Sequence, residues 1–150
     1  YQHRISFLRL ADAICMAMPI GLGLVRIGNF LNGELYGRPT DGTWGFIFPT
    51  DPYGFTRHPS QLYEAIFEGF FLFILLLFIG AKNNKRGVIS GSFLLAYGLI
   101  RFFIEYFRQP DSHMGFVALQ LSMGQLLSIP MVIIGLILLT KSLRRNEAIS

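Results

Sequence analysis

Arg26, Asn29, Asn32 and Glu34 crowd into the stretch LVRIGNFLNGELYGRPT, residues 24–40, immediately after an apolar run. A second polar set, Tyr97, Arg101 and Glu105, recurs at i, i+4 and i+8 inside another apolar run, with Arg108 three residues further on. That spacing places all four on one helical face. A third set, Gln61, Glu64 and Glu68, lies along RHPSQLYEAIFEG, with Glu68 a full turn deeper than Glu64. Ionisable residues in apolar surroundings are costly, and each is by default a functional hypothesis. Arginine presents a planar fork of donors that grips phosphate through two bonds at once. The chemistry these residues suit is therefore recognition of an anion, with carboxylates to hold the arginines. The plainer alternative is an Arg101–Glu105 pair that only locks helices together. For Glu64 and Glu68 the structural expectation is pairing with Arg26, Arg57 or Arg101. His58 is either a base or the cap of a helix in which Pro59 takes the first position.

The elements that position these residues are read from composition. The chain is 52% hydrophobic with 15 Phe. Only 15% of it is charged, against about 25% in soluble domains. Its mean hydropathy is +0.47. A bilayer core about 30 Å thick takes about 20 helical residues. The runs Leu62–Ala81, Val88–Phe107 and Phe116–Thr140 fit, with Pro130 bending the last. Ala11–Val25 is a shorter fourth span containing Pro19. The expected fold is an all-α integral membrane protein of about four transmembrane helices, residues 1–150 forming a single transmembrane domain. A polar loop region joins the first and second spans. Its DGTWGFIFPTDPYGFT segment, residues 41–56, suits an interfacial aromatic belt or a loop over a lateral entrance, and WGFIF suits a hairpin arm.

Charge supplies the orientation. Arg4 and Arg9, then Lys82, Lys85 and Arg86, then Lys141, Arg144 and Arg145 fall on one side of a four-span chain. The positive-inside rule makes that side cytoplasmic. The formal charge of +4 is thereby explained by topology, without nucleic acid. The remaining basic residues, Arg26, Arg38, Arg57, Arg101 and Arg108, lie at or near the outer face, and all are arginine. Asp12 interrupts the first apolar run, which therefore reads as a retained span and not a cleaved signal. Cys15, the single cysteine, reads as a small buried hydrophobe, and no metal-ligand spacing is visible. The chain starts at Tyr1 with no Met, which suggests a piece of a longer protein.

RIGNFLNGELYGRPT resembles the signature of the bacterial prolipoprotein diacylglyceryl transferases. Arg26, Gly28, Asn29, Phe30, Asn32, Glu34 and Gly37 match it in order, with Val25 where that pattern usually has glycine. Further blocks of the family are FPTDP at 48–52, RHPSQLYEA at 57–65, YGLIRFFIEYFRQPD at 97–111 and LSMGQLLSIPM at 121–131. The resemblance covers nearly the whole chain. These enzymes carry about three further spans upstream, with a histidine-glycine-glycine stretch that nothing here matches, since His3 sits in YQHRIS. The resemblance therefore implies the C-terminal portion of such an enzyme.

It further implies transfer of the diacylglyceryl group of phosphatidylglycerol to the lipobox cysteine of prolipoprotein signal peptides, with no cofactor. The site would face the outer side of the bacterial plasma membrane. In that reading Arg26 grips the lipid phosphate, Asn29, Asn32 and Glu34 orient the headgroup or hold Arg26, and Gly37 permits a tight backbone. Arg101 stabilises the leaving phosphate with Tyr97 beside it, Glu105 and Arg108 support them, and His58 is the base this chain offers. The competing expectations are half of a transporter or channel for an anionic solute and a non-catalytic membrane scaffold.

Overall fold

A computed structural model describes residues 6–109, 116–118 and 121–144. Arg4, Arg145 and residues 110–115 lie outside them. Helix α1 runs Phe7–Leu31, strands β1 (Phe46–Ile47) and β2 (Thr56–Arg57) form a hairpin, and helix α2 runs Ser60–Lys82. Helix α3 covers Val88–Ile104, strands β3 (Phe116–Ala118) and β4 (Leu121–Ser122) pair, and helix α4 closes the chain at Met123–Arg144. Helices α1, α2 and α4 are long and apolar enough to cross a membrane. Helix α3, at 17 residues, is apolar and at the short limit for a span. This is an all-α, multi-pass integral membrane protein.

The bundle is apolar outside and polar within. Leu72, Leu76 and Phe93 form the buried core, and Cys15, Met16, Leu75 and Ile100 pack against it. Among the described residues, buried polar side chains, including Gln61, Glu64, Glu68 and Glu105, outnumber the buried hydrophobic ones. Leu24, Leu31, Phe70, Phe78 and Phe103 are exposed, as a hydrocarbon solvent allows.

Two boundaries differ from expectation. Helix α1 is 25 residues long, not 15, because Ser6 caps it by accepting from the Arg9 amide and Gly33, at φ +68°, ends it in a left-handed turn. Arg26 and Asn29 are thus helical, and Asn32 is the C-cap residue. Helix α4 begins at Met123, not Phe116. Ser122 and Gln125 cap it reciprocally: Gln125 N–H donates to Ser122 Oγ, and Ser122 N–H donates to Gln125 Oε1. Residues 116–118 pair antiparallel with β4 instead of extending the helix. The WGFIF hairpin forms as expected, with Phe46 opposite Arg57 and Ile47 opposite Thr56.

Small residues set the helix spacing, since without a hydrophobic drive in lipid, close backbone approach supplies the contact. On α1, Gly23 meets Gly69 of α2. A Cβ built on Gly69 would stand 2.7 Å from the Gly23 Cα. Gly91 of α3 and Gly135 of α4 play the same part, a Cβ on Gly91 meeting the Leu139 amide at 2.8 Å. The Gly23–Gly69 crossing decides where Arg26, three residues on, meets α2. Gly69→Leu should therefore force α1 and α2 apart at a cost of about 1–3 kcal/mol. A clear fall in the melting temperature of detergent-solubilised protein is expected, with Gly21→Ala, whose Cβ would meet nothing within 4 Å, unaffected. Equal melting of the two variants would contradict the crossing.

Candidate functional site

Glu64 is the centre of the site. It is buried to 1% exposure on the first turns of α2. Its carboxylate pairs with Arg26 Nε from α1, with Arg101 Nη1 from α3 at 3.5 Å and with Arg108 Nη1 beyond α3 at 3.7 Å. Arg101 reaches two more carboxylates, Glu68 Oε1 at 3.5 Å and Glu105 Oε2 at 3.1 Å. The expected pairing of Glu64 and Glu68 with Arg26 and Arg101 is found, and the Arg101–Glu105 pair exists as one edge of a larger network. The arginines are partly exposed, at 11–16%, while Glu64 and Glu68 are sealed. The arginine side chains thus stand nearer the surface than the acidic floor they cover.

The local fold explains how the acids reach this place. Ala65–Phe71 is a π-helical segment, whose wider turn breaks the α register, and such insertions are frequent at functional sites. Across it Gln61, Glu64 and Glu68 all remain buried. Gln61 Nε2 donates to the Glu34 carbonyl at 2.6 Å, and the Ser60 hydroxyl donates to the Leu35 carbonyl. These bonds hold Leu35 in a left-handed conformation, φ +57°, that a non-glycine residue seldom adopts. At the far edge, Gly124 in the first turn of α4 faces Glu105, and a Cβ there would stand 2.5 Å from the Glu105 Oε2 atom. The missing side chain lets the positive end of α4 approach that carboxylate.

Other predicted residues take different places. Of the two roles expected of Glu34, holding Arg26 falls to Glu64; Glu34 is exposed, and its carboxylate accepts from Asn32 Nδ2 at 3.5 Å. Asn32 lines a cleft of about 230 Å³ between the end of α1 and residues 46–50. Asn29 is half-buried on α1, its carbonyl accepting from the Glu34 amide. Gly37 permits the tight backbone expected of it: its amide donates to the His58 carbonyl, it bridges to Arg108, and a Cβ would stand 2.7 Å from the His58 oxygen. Tyr97 stacks on Phe93, within electrostatic reach of Glu68 and Arg101. His58 does not cap α2. Pro59 holds the cap position, and the His58 ring lies against Tyr63 and Phe107 with its Nδ1 atom 3.3 Å from the Tyr63 hydroxyl. It lines an open cleft with Thr40, Asp41 and Phe55, apart from the arginines.

Arg57 was expected among the partners of Glu64 and Glu68. It pairs instead with Asp51, at 2.7 and 3.0 Å, in a fork of two bonds. Its other nitrogen donates to Gln109 Oε1 at 2.9 Å, and its guanidinium covers the Tyr36 ring. Arg38 Nε likewise donates to the Arg108 carbonyl. Two of the five arginines assigned to the outer side thus brace the loop, and through residues 107–109 they hold the backbone that carries Arg108. FPTDP followed by TRH carried the signal, an acid six residues before an arginine across a hairpin.

The model of the prolipoprotein diacylglyceryl transferase family matches residues 1–141. The chain belongs to that family. It is 51% identical to the phosphatidylglycerol–prolipoprotein diacylglyceryl transferase of Geobacter sulfurreducens over 97% of its own length and 55% of that relative's. Identity to the proteins of the same name from Aeromonas hydrophila and Chlorobaculum tepidum is 52% and 49%, over 94% and 97% of this chain. The chain spans about half the length of the curated relatives it matches. In this member of the transferase family, the family signature folds as the end of α1 and the turn after it, with Arg26 turned onto Glu64.

The Arg57 guanidinium beside Asp51 holds the carboxyl below the ordinary aspartate range, aided by the Tyr53 and Phe55 amides, with burial opposing. A depressed folded value contributes stability above the unfolded pKa, about 3.9, that is lost as pH falls through the folded one. Protease resistance of residues 33–59 should therefore persist through pH 5 to 4 and fail only below. Asp51→Asn should be cleaved readily at pH 7. Resistance unchanged in that variant would refute the brace.

Proposed function

We propose that the enzyme containing this segment transfers the diacylglyceryl group of phosphatidylglycerol to the lipobox cysteine thiol of prolipoprotein signal peptides. The relatives' names state the donor and acceptor classes. The observation that carries the reading for these residues is the arginine network over a sealed acidic floor. Arg26 lies near the end of α1, Glu64 and Glu68 near the start of α2, and Arg101 in the last turn of α3, so the charges gather at one end of the bundle. Charges so gathered suit headgroup depth, whereas a transported solute calls for a site midway along the helices.

The reaction needs a thiolate at a glycerol carbon. The thiol loses its proton to a base, the new carbon–sulfur bond forms, and the carbon–oxygen bond to phosphate breaks. Glycerol phosphate departs with that electron pair. A free thiol has a pKa near 8.5, so a base assists; His58, the base this chain offers, lines its own cleft apart from the arginines, so the base belongs to the part of the enzyme outside this segment. Negative charge grows on the leaving phosphate, and preorganised donors aimed at it lower the barrier. Arg26 and Arg101 serve as the two arms of this clamp, with Tyr97 beside Arg101. Glu105 and Arg108 hold the arms, and Asn29, Asn32 and Glu34 meet the headgroup. The distribution of lysine and arginine supports a site on the outer side of the bacterial inner membrane.

The test is transfer from labelled phosphatidylglycerol to a lipobox peptide by the full-length enzyme in sealed membrane vesicles. Wild type should modify added peptide in right-side-out vesicles and not in inverted ones. Arg26→Ala and Arg101→Ala should lose at least 100-fold in rate, the scale of removing one transition-state donor, while inserting normally. Wild-type turnover in both variants would refute the clamp, and transfer only in inverted vesicles would refute the orientation.

A further inference from the structure

The charges of the network balance before any substrate arrives. Among the described residues, Arg26, Arg101 and Arg108 face Glu64, Glu68 and Glu105, three cations against three carboxylates. The phosphodiester of an anionic lipid adds a fourth negative charge to a site that is largely out of water. An uncompensated charge there is strongly disfavoured, and a buried carboxyl responds by taking a proton.

The three carboxylates are not equally placed to do so. Glu64 meets three arginines. Glu105 has the shorter contact with Arg101, at 3.1 Å, and faces the first turn of α4. Glu68 is fully buried, and among the described residues it pairs with Arg101 alone, at 3.5 Å; an Oε2 atom without a hydrogen-bond partner is common to Glu64, Glu68 and Glu105. The charged and titratable groups facing it are Arg26 from α1, Glu64 one turn back on α2, and Arg101 and Tyr97 from α3. Glu68 therefore depends on the one guanidinium that the clamp turns toward phosphate. When Arg101 makes that turn, Glu68 is left with a neighbouring carboxylate and no pair.

We propose that Glu68 is a proton-binding site coupled to the lipid: it is ionised while Arg101 pairs with it, and takes one proton from solvent when a phosphodiester headgroup occupies Arg26 and Arg101. The inference rests on the phosphate-clamp reading above and goes beyond it. It makes proton uptake part of substrate binding, before any chemistry on the thiol, and gives the π-helical segment that holds Glu68 a purpose beyond packing.

The experiment is calorimetric titration of dioctanoyl phosphatidylglycerol into the full-length enzyme in nanodiscs at pH 8, without acceptor peptide, in buffers of different ionisation enthalpy. Wild type should take up close to one proton per lipid bound, and its affinity should fall on the order of tenfold per pH unit where the coupling operates. Glu68→Gln, which keeps the shape and loses the charge, should bind with no uptake and no pH slope. Lipid binding without proton uptake in wild type would overturn the proposal and leave the clamp standing. So would equal uptake in Glu68→Gln. Lipid affinity unchanged in Arg26→Ala would refute the clamp itself. Glycerol phosphate giving the same affinity and uptake would assign the site to free phosphate and overturn coupling to the lipid.

Discussion

The bundle is organised around a carboxylate that three arginines share. Glu64 draws Arg26 from α1, Arg101 from α3 and Arg108 from the turn beyond it onto one buried point of α2. Removing one partner of a buried ion pair costs about 3–5 kcal/mol, because the other charge is then stranded. In a membrane the three helices consequently have little freedom in their relative rotation at this end. The Gly23–Gly69 crossing fixes their distance, and the π-helical segment fixes which way the acids point. The Asp51–Arg57 brace outside the spans then sets the backbone from which Arg108 reaches inward. Each of these features would be idle without the shared carboxylate.

The same arrangement suits binding an anion. In the proposed reading, arginines whose forks are already oriented lose little freedom when phosphate replaces carboxylate, and the internal acids act as placeholders for the substrate's charge. An exchange of partners within a preorganised site moves side chains by small amounts and leaves the helices where they are.

Much of this was legible in the sequence because hydrocarbon makes polar residues conspicuous. Tyr97, Arg101 and Glu105 announced a face by spacing alone, and Glu64 and Glu68 announced their arginines by needing them. The family signature located Arg26 and the close approach at Gly37. What stayed hidden depended on contacts distant in the chain. Nothing local says that Arg26 chooses Glu64, 38 residues away, over the nearby Glu34. Arg57 looked like one more anion-binding arginine until Asp51 faced it across the hairpin. The start of α4 was misplaced because an apolar count registers hydrophobicity and overlooks a Ser122–Gln125 cap. The π-helical segment has no simple compositional mark.

In the proposed reaction, phosphate replaces carboxylate on Arg26 and Arg101. Dipolar recoupling between the phosphorus of phosphatidylglycerol and guanidinium nitrogens measures this directly, in full-length enzyme labelled with nitrogen-15 arginine. Hydrogen-bond-range couplings to two arginines are expected, one lost in Arg26→Lys and the other in Arg101→Lys. Bound lipid whose phosphorus couples to neither would contradict it.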